Sequence, residues 1–218
     1  MIIVNFKTYP EVTLGDNAIK LAQICQEVFN QYQVPIILCV QATDIYKVSQ
    51  AVTLPVFAQH IDPIDPGKNT GFISAKAIKE NGAQGVMINH SEHRIGLPTI
   101  EKTLTIARQE NLQTLVCVEN SSEGQQIDQW QPDMLALEDP VLIGGNESIV
   151  YNEAGKQKVL AFVSAGIKAK TLVGAGVKNQ DDIRASLQLG AAGVLLASGI
   201  TLATDPKAVL VDLCQGFT

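Results

Sequence analysis

The sequence predicts an α/β fold, a single-domain (β/α)8 barrel that spans residues 1–218. Eight short apolar runs alternate with stretches of helical periodicity, and one glycine-containing motif occurs twice, about half a chain apart. Most of the runs are continuously apolar, a pattern typical of parallel strands that are covered on both faces. Eight runs in 218 residues give a repeat of about 27 residues, close to the minimum for a strand, a helix and two loops.

The apolar runs supply the predicted strands in chain order. They are residues 2–6, 35–40, 56–58, 85–88, 112–118, 134–137, 171–173 and 193–196. Residues 99–110 have helical periodicity. The stretch "NQDDIRASLQLG" has an Asn/Asp cap at its start and stops at Gly190, so it predicts a second helix.

The repeated motif supports eight-fold closure. "GAQGVMINHS" and "GAAGVLLASG" share the pattern Gly-Ala-x-Gly-Val followed by two apolar residues, and each follows a helical stretch. We interpret them as the approaches to the fourth and eighth strands of a barrel. The alternatives are two independent helix-to-strand turns and a doubly wound open sheet.

Composition excludes several functional classes. The formal net charge of −6 argues against a nucleic-acid or membrane-surface partner. No apolar run approaches the roughly 20 residues that a membrane helix needs, and "MIIVNFKTYP" lacks the basic segment of a secretory signal. The four cysteines have no paired spacing, which predicts reduced thiols in a cytoplasmic protein.

Polar side chains follow several of the predicted strands. The carboxyl ends of barrel strands form one shared mouth, so Lys7, His90 and Glu138 should meet there, beside glycine-bearing turns at 174–176 and 197–199. Each residue alone also fits an ordinary role, as a solvated lysine, a structural histidine or a loop carboxylate. Their joint occurrence at the ends of different strands is what favours an active site.

These groups suit proton transfer next to a carbonyl. A carboxylate can remove a carbon-bound proton, a neutral imidazole can donate to the carbonyl oxygen, and an ammonium can stabilise the developing charge. A helical turn at residues 91–93 would point its N-terminal dipole near His90 and disfavour the imidazolium form. Main-chain N–H groups of the glycine turns could hold a phosphate despite the acidic net charge.

The sequence resembles the triosephosphate isomerase family, particularly its short archaeal-type form. The matching segments run in family order from residue 4 to about residue 200: "VNFKTY", "VFAQHIDPIDPGKNTGFIS", "INHSEHR", "LVCVEN", "LIGG", "GAGV" and "LLASGI". The resemblance implies a cytoplasmic enzyme of glycolysis and gluconeogenesis that uses no cofactor and no metal. It would interconvert dihydroxyacetone phosphate and D-glyceraldehyde 3-phosphate through an enediolate.

The same resemblance implies roles for individual residues. Lys7 is similar to the electrostatic lysine, Glu92 to the acid that supports it, His90 to the neutral electrophile and Glu138 to the general base. The substrate and its phosphate would be held by Asn5, Phe6, Lys7, Ile143, Gly144, Gly176, Ala197 and Ser198. Residues 65–71, "DPGKNTG", are similar to a loop that reaches a neighbouring subunit, which implies a dimer or tetramer.

The sequence departs from the family pattern after Glu138. Asp139 stands where the family usually has a proline, and Gly145-Asn146 replace Thr-Gly at the end of the lid. A changed lid affects the expected rate more than the reaction type. Two alternatives therefore stay open: another phosphate-binding barrel enzyme such as a Schiff-base aldolase using Lys7, and a non-catalytic phosphate-ligand-binding barrel. His60 and His93 have no assigned role.

Overall fold

Eight parallel strands close into a barrel in the computed structural model, which describes residues 1–138, 153–174 and 176–218. The strands are β1 (Ile2–Asn5), β2 (Ile36–Val40), β3 (Val56–Ala58), β4 (Gly85–Ile88), β5 (Gln113–Val118), β6 (Met134–Leu137), β7 (Lys170–Val173) and β8 (Gly193–Leu196). Each strand pairs with its neighbour in sequence, and β1 closes the ring on β8. The predicted (β/α)8 fold is confirmed.

Four of the predicted strands match the structure at both ends, and the other four differ by one residue. Pro35 has no N–H to donate to the ladder, so β2 begins one residue later. At the other end of β1, the chain turns at Lys7, whose φ is +55°. The differences are therefore confined to strand ends, where the hydrogen-bonded ladder stops.

Helices cover the outside of the barrel. They are α1 (Pro10–Thr13), α2 (Asp16–Tyr32), α3 (Ile45–Ala51), α4 (Ala75–Glu80), α5 (Leu97–Gln109), α6 (Ser121–Asp128), α7 (Glu153–Val163), α8 (Gln180–Gln188), α9 (Ser198–Thr201) and α10 (Pro206–Gln215). The predicted cap at Asn179 is confirmed, because its side chain accepts from the main-chain N–H of Asp182 in a capping box. None of the helices in the described ranges is long and apolar enough to cross a membrane.

Two apolar layers explain why the strands are continuously apolar. One layer lies inside the barrel and includes Ile3, Phe57, Met87 and Leu115, with the Met1 side chain packed against it. The other lies between the strands and the helices. Because each strand contributes side chains to both layers, polar residues are displaced to the strand ends.

The repeated motif leads into β4 and β8, as predicted. Gly82 and Gly190, the first residue of each copy, have φ of +97° and +99°, so each allows the chain to leave its helix in a left-handed conformation. Gly85 and Gly193 begin the two strands, where a Cβ would clash with the Phe57 ring or with Met1. Glycine is thus required for the turn and for close packing in both copies.

Candidate active site

Lys7 is the first of the predicted site residues along the chain with a charged side chain, and it lies at the carboxyl end of the barrel strands. Its main-chain N–H donates to Asn5 Oδ1 at 3.0 Å, just past the end of β1. Its Nζ forms an ion pair with Glu92 Oε2 at 2.9 Å and lies 3.1 Å from His90 Nε2. The Lys7 side chain is largely buried whereas that of Glu92 is 64% exposed, so the carboxylate approaches the ammonium from the solvent side.

His90 follows β4 and its side chain is buried. The main-chain N–H of Glu92 donates to His90 Nδ1 at 3.1 Å. Because Nδ1 accepts this hydrogen bond, the proton of a neutral ring is on Nε2. Nε2 lies 3.1 Å from Glu138 Oε1, so the ring presents its donor to the carboxylate. This tautomer is fixed by one main-chain hydrogen bond from a residue two positions along the chain.

Glu138 follows β6 and is almost completely buried. Its Oε2 accepts from the main-chain N–H of Ser91 at 2.9 Å, and its Oε1 faces His90. Burial by itself would raise the pKa of Glu138, but the hydrogen bonds from His90 and Ser91 and the charge of Lys7 outweigh it and hold the pKa below its usual value. Glu138 is therefore a carboxylate, not a carboxylic acid, at neutral pH.

Asn89 shapes the turn that presents His90, a role that the sequence analysis did not assign. Its φ is +62°, its Nδ2 donates to the carbonyl of Cys117 at 3.0 Å, and its Oδ1 accepts from the N–H of Ile95 at 3.0 Å. Asparagine tolerates the left-handed conformation better than most residues and can bond its own loop. In the sequence, the only indication of this role is that an asparagine stands immediately before His90 at the end of a predicted strand.

One cavity of about 560 Å³ brings most of the predicted residues together. Its lining includes Asn5, Lys7, His90, Glu92, Glu138, Gly176, Ala197 and Ser198. Tyr9 and Lys178, which the sequence analysis did not select, also line it. Lys7, His90 and Glu138 follow β1, β4 and β6, and the predicted small residues follow β7 and β8.

One predicted binding residue, Phe6, does not line this cavity, and two others are not among the described residues. Phe6 is fully buried in the layer between the strands and the helices and does not line the cavity. Successive residues of an extended chain point to opposite sides, so Asn5 faces the mouth and Phe6 faces the helices. Ile143 and Gly144 lie outside the described residues, as do Asp139, Gly145 and Asn146.

The small residues at the ends of β7 and β8 suit an anion. Helix α9 begins at Ser198, and the first N–H groups of a helix have no partner within it. Gly176, with φ of +70°, and Gly199 add no side chain to the cavity wall at their own positions. Within the described ranges, no three His, Cys, Asp or Glu residues are grouped to hold a metal ion.

Comparison with known proteins agrees with this geometry. The family model described as triosephosphate isomerase matches residues 1–216. Curated triosephosphate isomerases from Methanosarcina barkeri and Methanobrevibacter smithii are 43% and 39% identical, each over 98% of this chain and 97% and 96% of their own. A solved triosephosphate isomerase from Bartonella henselae has the same fold, with a TM-score of 0.72 at 22% identity over 99% of this chain and 98% of its own. The chain belongs to the triosephosphate isomerase family.

Proposed function

We propose that this protein is a triosephosphate isomerase that interconverts dihydroxyacetone phosphate and D-glyceraldehyde 3-phosphate by proton transfer through an enediolate. One observation carries the proposal: Glu138 Oε1 and Lys7 Nζ each lie 3.1 Å from His90 Nε2 at the mouth of one cavity. A base, a proton donor and a positive charge are thus within reach of one small substrate. Relatives of that name cover nearly the whole chain.

Glu138 acts as the base in this proposal. Its depressed pKa keeps it ionised, so it can accept a proton from the carbon next to the substrate carbonyl and return it to the adjacent carbon. A substrate that enters the cavity replaces His90 as the neighbour of Oε1. Without the hydrogen bond from His90, burial has a larger influence on the pKa of Glu138, so the carboxylate becomes more basic toward the substrate.

His90 and Lys7 stabilise the enediolate oxygens. The Nε2–H of His90 is a neutral donor whose tautomer is set by the Glu92 main chain, so it can donate to either oxygen without carrying a charge itself. The Lys7 ammonium supplies the charge, and Glu92 holds it in place from the solvent side. Such preorganised groups stabilise charge that develops only as the proton leaves carbon.

The substrate phosphate is proposed to bind where Gly176, Ala197 and Ser198 line the cavity. Main-chain N–H groups would be its donors there. Ile143 and Gly144 are proposed to complete the phosphate site, and any contact from Phe6 would have to come from its main chain.

We also propose that the 218 residues form one catalytic domain of a cytoplasmic homodimer or homotetramer. The loop at residues 65–71 is mostly exposed, and Phe72 next to it is 57% exposed. A large exposed aromatic residue beside an exposed loop favours a contact between subunits. Light scattering or sedimentation would give the oligomeric state.

The Schiff-base alternative finds less support in the geometry. An imine requires a neutral amine, whereas Lys7 Nζ takes part in an ion pair with Glu92 at 2.9 Å. Borohydride reduction in the presence of dihydroxyacetone phosphate tests this alternative directly, because only an aldolase of that class leaves an adduct on Lys7. We expect no adduct.

The direct test is a coupled isomerase assay on protein purified from a host that lacks its own triosephosphate isomerase. We expect turnover in both directions, and Glu138→Gln, purified in the same way, measures the background. Binding of glycerol 3-phosphate without turnover at high enzyme concentration would contradict the proposal and favour the non-catalytic barrel. An Asp139→Pro variant in the same assay shows whether the departure from the family pattern slows the reaction.

A further inference from the structure

We propose that Glu123, on the outer helix α6, is a positioning residue that holds the turn presenting His90. It acts through Asn89 and Arg94, which lie at the two ends of that turn. The inference rests on the proposed function for its kinetic consequences, and on the contacts of Glu123 for its geometry. The sequence analysis gave Glu123 no role.

The turn after β4 has bonds among its own residues that fix its shape. The N–H of His93 donates to the His90 carbonyl at 2.7 Å, and the N–H of Ile95 donates to Asn89 Oδ1 at 3.0 Å. These bonds do not determine where the turn lies relative to the rest of the barrel. Contacts with the neighbouring strands and helices determine that position.

Glu123 contacts both ends of the turn with one oxygen. Its Oε1 accepts from Arg94 Nη2 and lies 3.5 Å from Asn89 Nδ2. Asn89 Nδ2 also donates to the Cys117 carbonyl at 3.0 Å, so this amide lies between β5 and the carboxylate on α6. The start and the end of the turn are thus joined to the helix that follows the next strand.

The Glu123 side chain is itself anchored at the start of α6. The N-cap residue Asn120 accepts from the Glu123 N–H at 2.9 Å, and Glu123 Oε2 accepts from the Glu119 N–H at 2.8 Å. One carboxylate oxygen therefore bonds the main chain at the end of β5 while the other faces the turn. A side chain locked in this way can hold a neighbouring group in a defined position.

The ion pair between Arg94 and Glu123 is partly sheltered from solvent. The Glu123 side chain is 15% exposed and that of Arg94 is 31% exposed, so solvent ions screen this pair less than a fully exposed one. Glu119 also approaches Arg94, but its Oε1 lies 3.7 Å from Nε and its side chain is 44% exposed. Glu123 is the closer and more buried of the two carboxylates.

Glu123 acts through His90 and not on the substrate. Neither Glu123 nor Arg94 lines the 560 Å³ cavity. The N–H of Glu92, which sets the His90 tautomer, belongs to the same turn as His90. A shift of the turn therefore changes both the position of the Nε2 donor and the bond that keeps the proton on Nε2.

The test is a double-mutant cycle in the full chain. Glu123→Ala removes both contacts with the turn, and Arg94→Met removes the charged partner. We expect each to lower kcat by about tenfold and to change KM by less than about twofold, since a small displacement of a catalytic donor is costly in rate. The double variant should lose less than about twofold beyond either single variant, because both substitutions break one linkage.

Two further variants show whether the contacts of Glu123 are responsible. Glu123→Gln keeps one acceptor oxygen, so its kcat should lie between those of the wild type and Glu123→Ala. Glu119→Gln is the matched control, because it removes a carboxylate charge beside the same arginine and leaves Glu123 in place. We expect its kcat and KM to match the wild type.

Three kinetic results would each overturn the positioning role. The first is a wild-type kcat in Glu123→Ala. The second is a tenfold loss in Glu119→Gln, which would assign the effect to charge near Arg94. The third is a double variant whose loss is the product of the two single losses, since the two residues would then act independently.

Nitrogen-15 NMR of His90 separates this inference from the proposed function, because it needs no turnover. We expect the Nε2–H tautomer in the wild type and a shift toward mixed tautomers in Glu123→Ala, where the bond from the Glu92 N–H is weakened. An unchanged His90 spectrum would contradict the inference even in an active isomerase. A changed spectrum in a protein without isomerase activity would support the inference and overturn only the proposed function. If Glu123→Ala does not fold, Glu123→Gln serves for the same measurement.

Discussion

The two ends of the barrel use polar residues in different ways. At the carboxyl end of the strands, buried polar side chains contact one another, as Glu138 and Lys7 contact His90. At the amino end, polar side chains mainly bond main chain: Asp133, an exposed residue, accepts through Oδ2 from the N–H of the buried Thr114 at 2.7 Å. Polar atoms at the amino end satisfy the backbone that connects helix to strand, whereas those at the carboxyl end contact one another beside the cavity.

Left-handed residues show the same difference. Gln33 and Asn111 lie where helices turn into strands at the amino end, and their side chains are exposed. Lys7 and Asn89 lie at the carboxyl end, where their side chains bond other loops. Glycine could replace the first pair on conformational grounds, but not the second, because side-chain contacts are lost. The strained left-handed backbone of a residue that is not glycine is therefore kept at the carboxyl end, where the position of its side chain matters.

The largest effect should come from Glu138→Gln. Removing a general base costs about 10²-fold to 10⁴-fold in rate, so kcat should fall by that amount in the coupled isomerase assay. Glu138→Asp should cost at least about tenfold, since it displaces the base. The thermal midpoint of both variants should stay close to that of the wild type. Wild-type-like turnover in either variant would remove Glu138 from its proposed role.

Asp133→Ala tests the opposite end. It leaves the N–H and the hydroxyl of Thr114 without the carboxylate that bonds both, at 2.7 and 2.9 Å. We expect a loss of about 1–3 kcal/mol in the free energy of unfolding, measured in denaturant, with an unchanged KM. A fall in kcat without a fall in stability would show that the two ends are not separate in function.

Asn89→Gly should affect both the reaction rate and the stability of the fold, each to a moderate extent. Glycine keeps the positive φ but loses the bonds to Cys117 and Ile95. We expect kcat/KM to fall by about tenfold, because His90 loses a fixed approach, with a smaller loss of stability than for Asp133→Ala. The matched control is Asn111→Gly at the amino end, which should leave kcat/KM unchanged. A similar loss in the control would contradict the difference drawn between left-handed residues at the two ends.

The smallest effect concerns pH and His60. Burial lowers the pKa of His60 from its ordinary 6.5, helped by the nearby His93, and outweighs the hydrogen bond to Asp62. The unfolded chain therefore binds more protons than the folded one below about pH 6.5, so stability falls as the pH drops through that value. Thermal melts from pH 7.5 to pH 5 should show a shallower decline in His60→Gln than in the wild type. An identical decline would contradict the shift.

Much of the fold could be predicted because local chemistry determines it. Strands covered on both faces must be apolar along their length, and Asn179 and Gly190 mark the ends of one helix. Parallel closure then places every strand end at one mouth, so Lys7, His90 and Glu138 could be selected together. The distances between these three side chains could not be predicted, because their hydrogen-bonding geometry depends on the register of all eight strands in the barrel.

By itself, the sequence determined the number and nearly the bounds of the strands, the shared mouth and the residue types that meet there. The tertiary structure decided the rest. It turned Phe6 toward the helices, set the His90 tautomer through the Glu92 main chain, and placed Gln59 against a carbonyl 52 residues away. The physical reason is the distance along the chain over which each interaction acts. Apolar periodicity and helix caps depend on residues within one helix or strand, whereas a hydrogen bond between distant loops forms only after the barrel has closed.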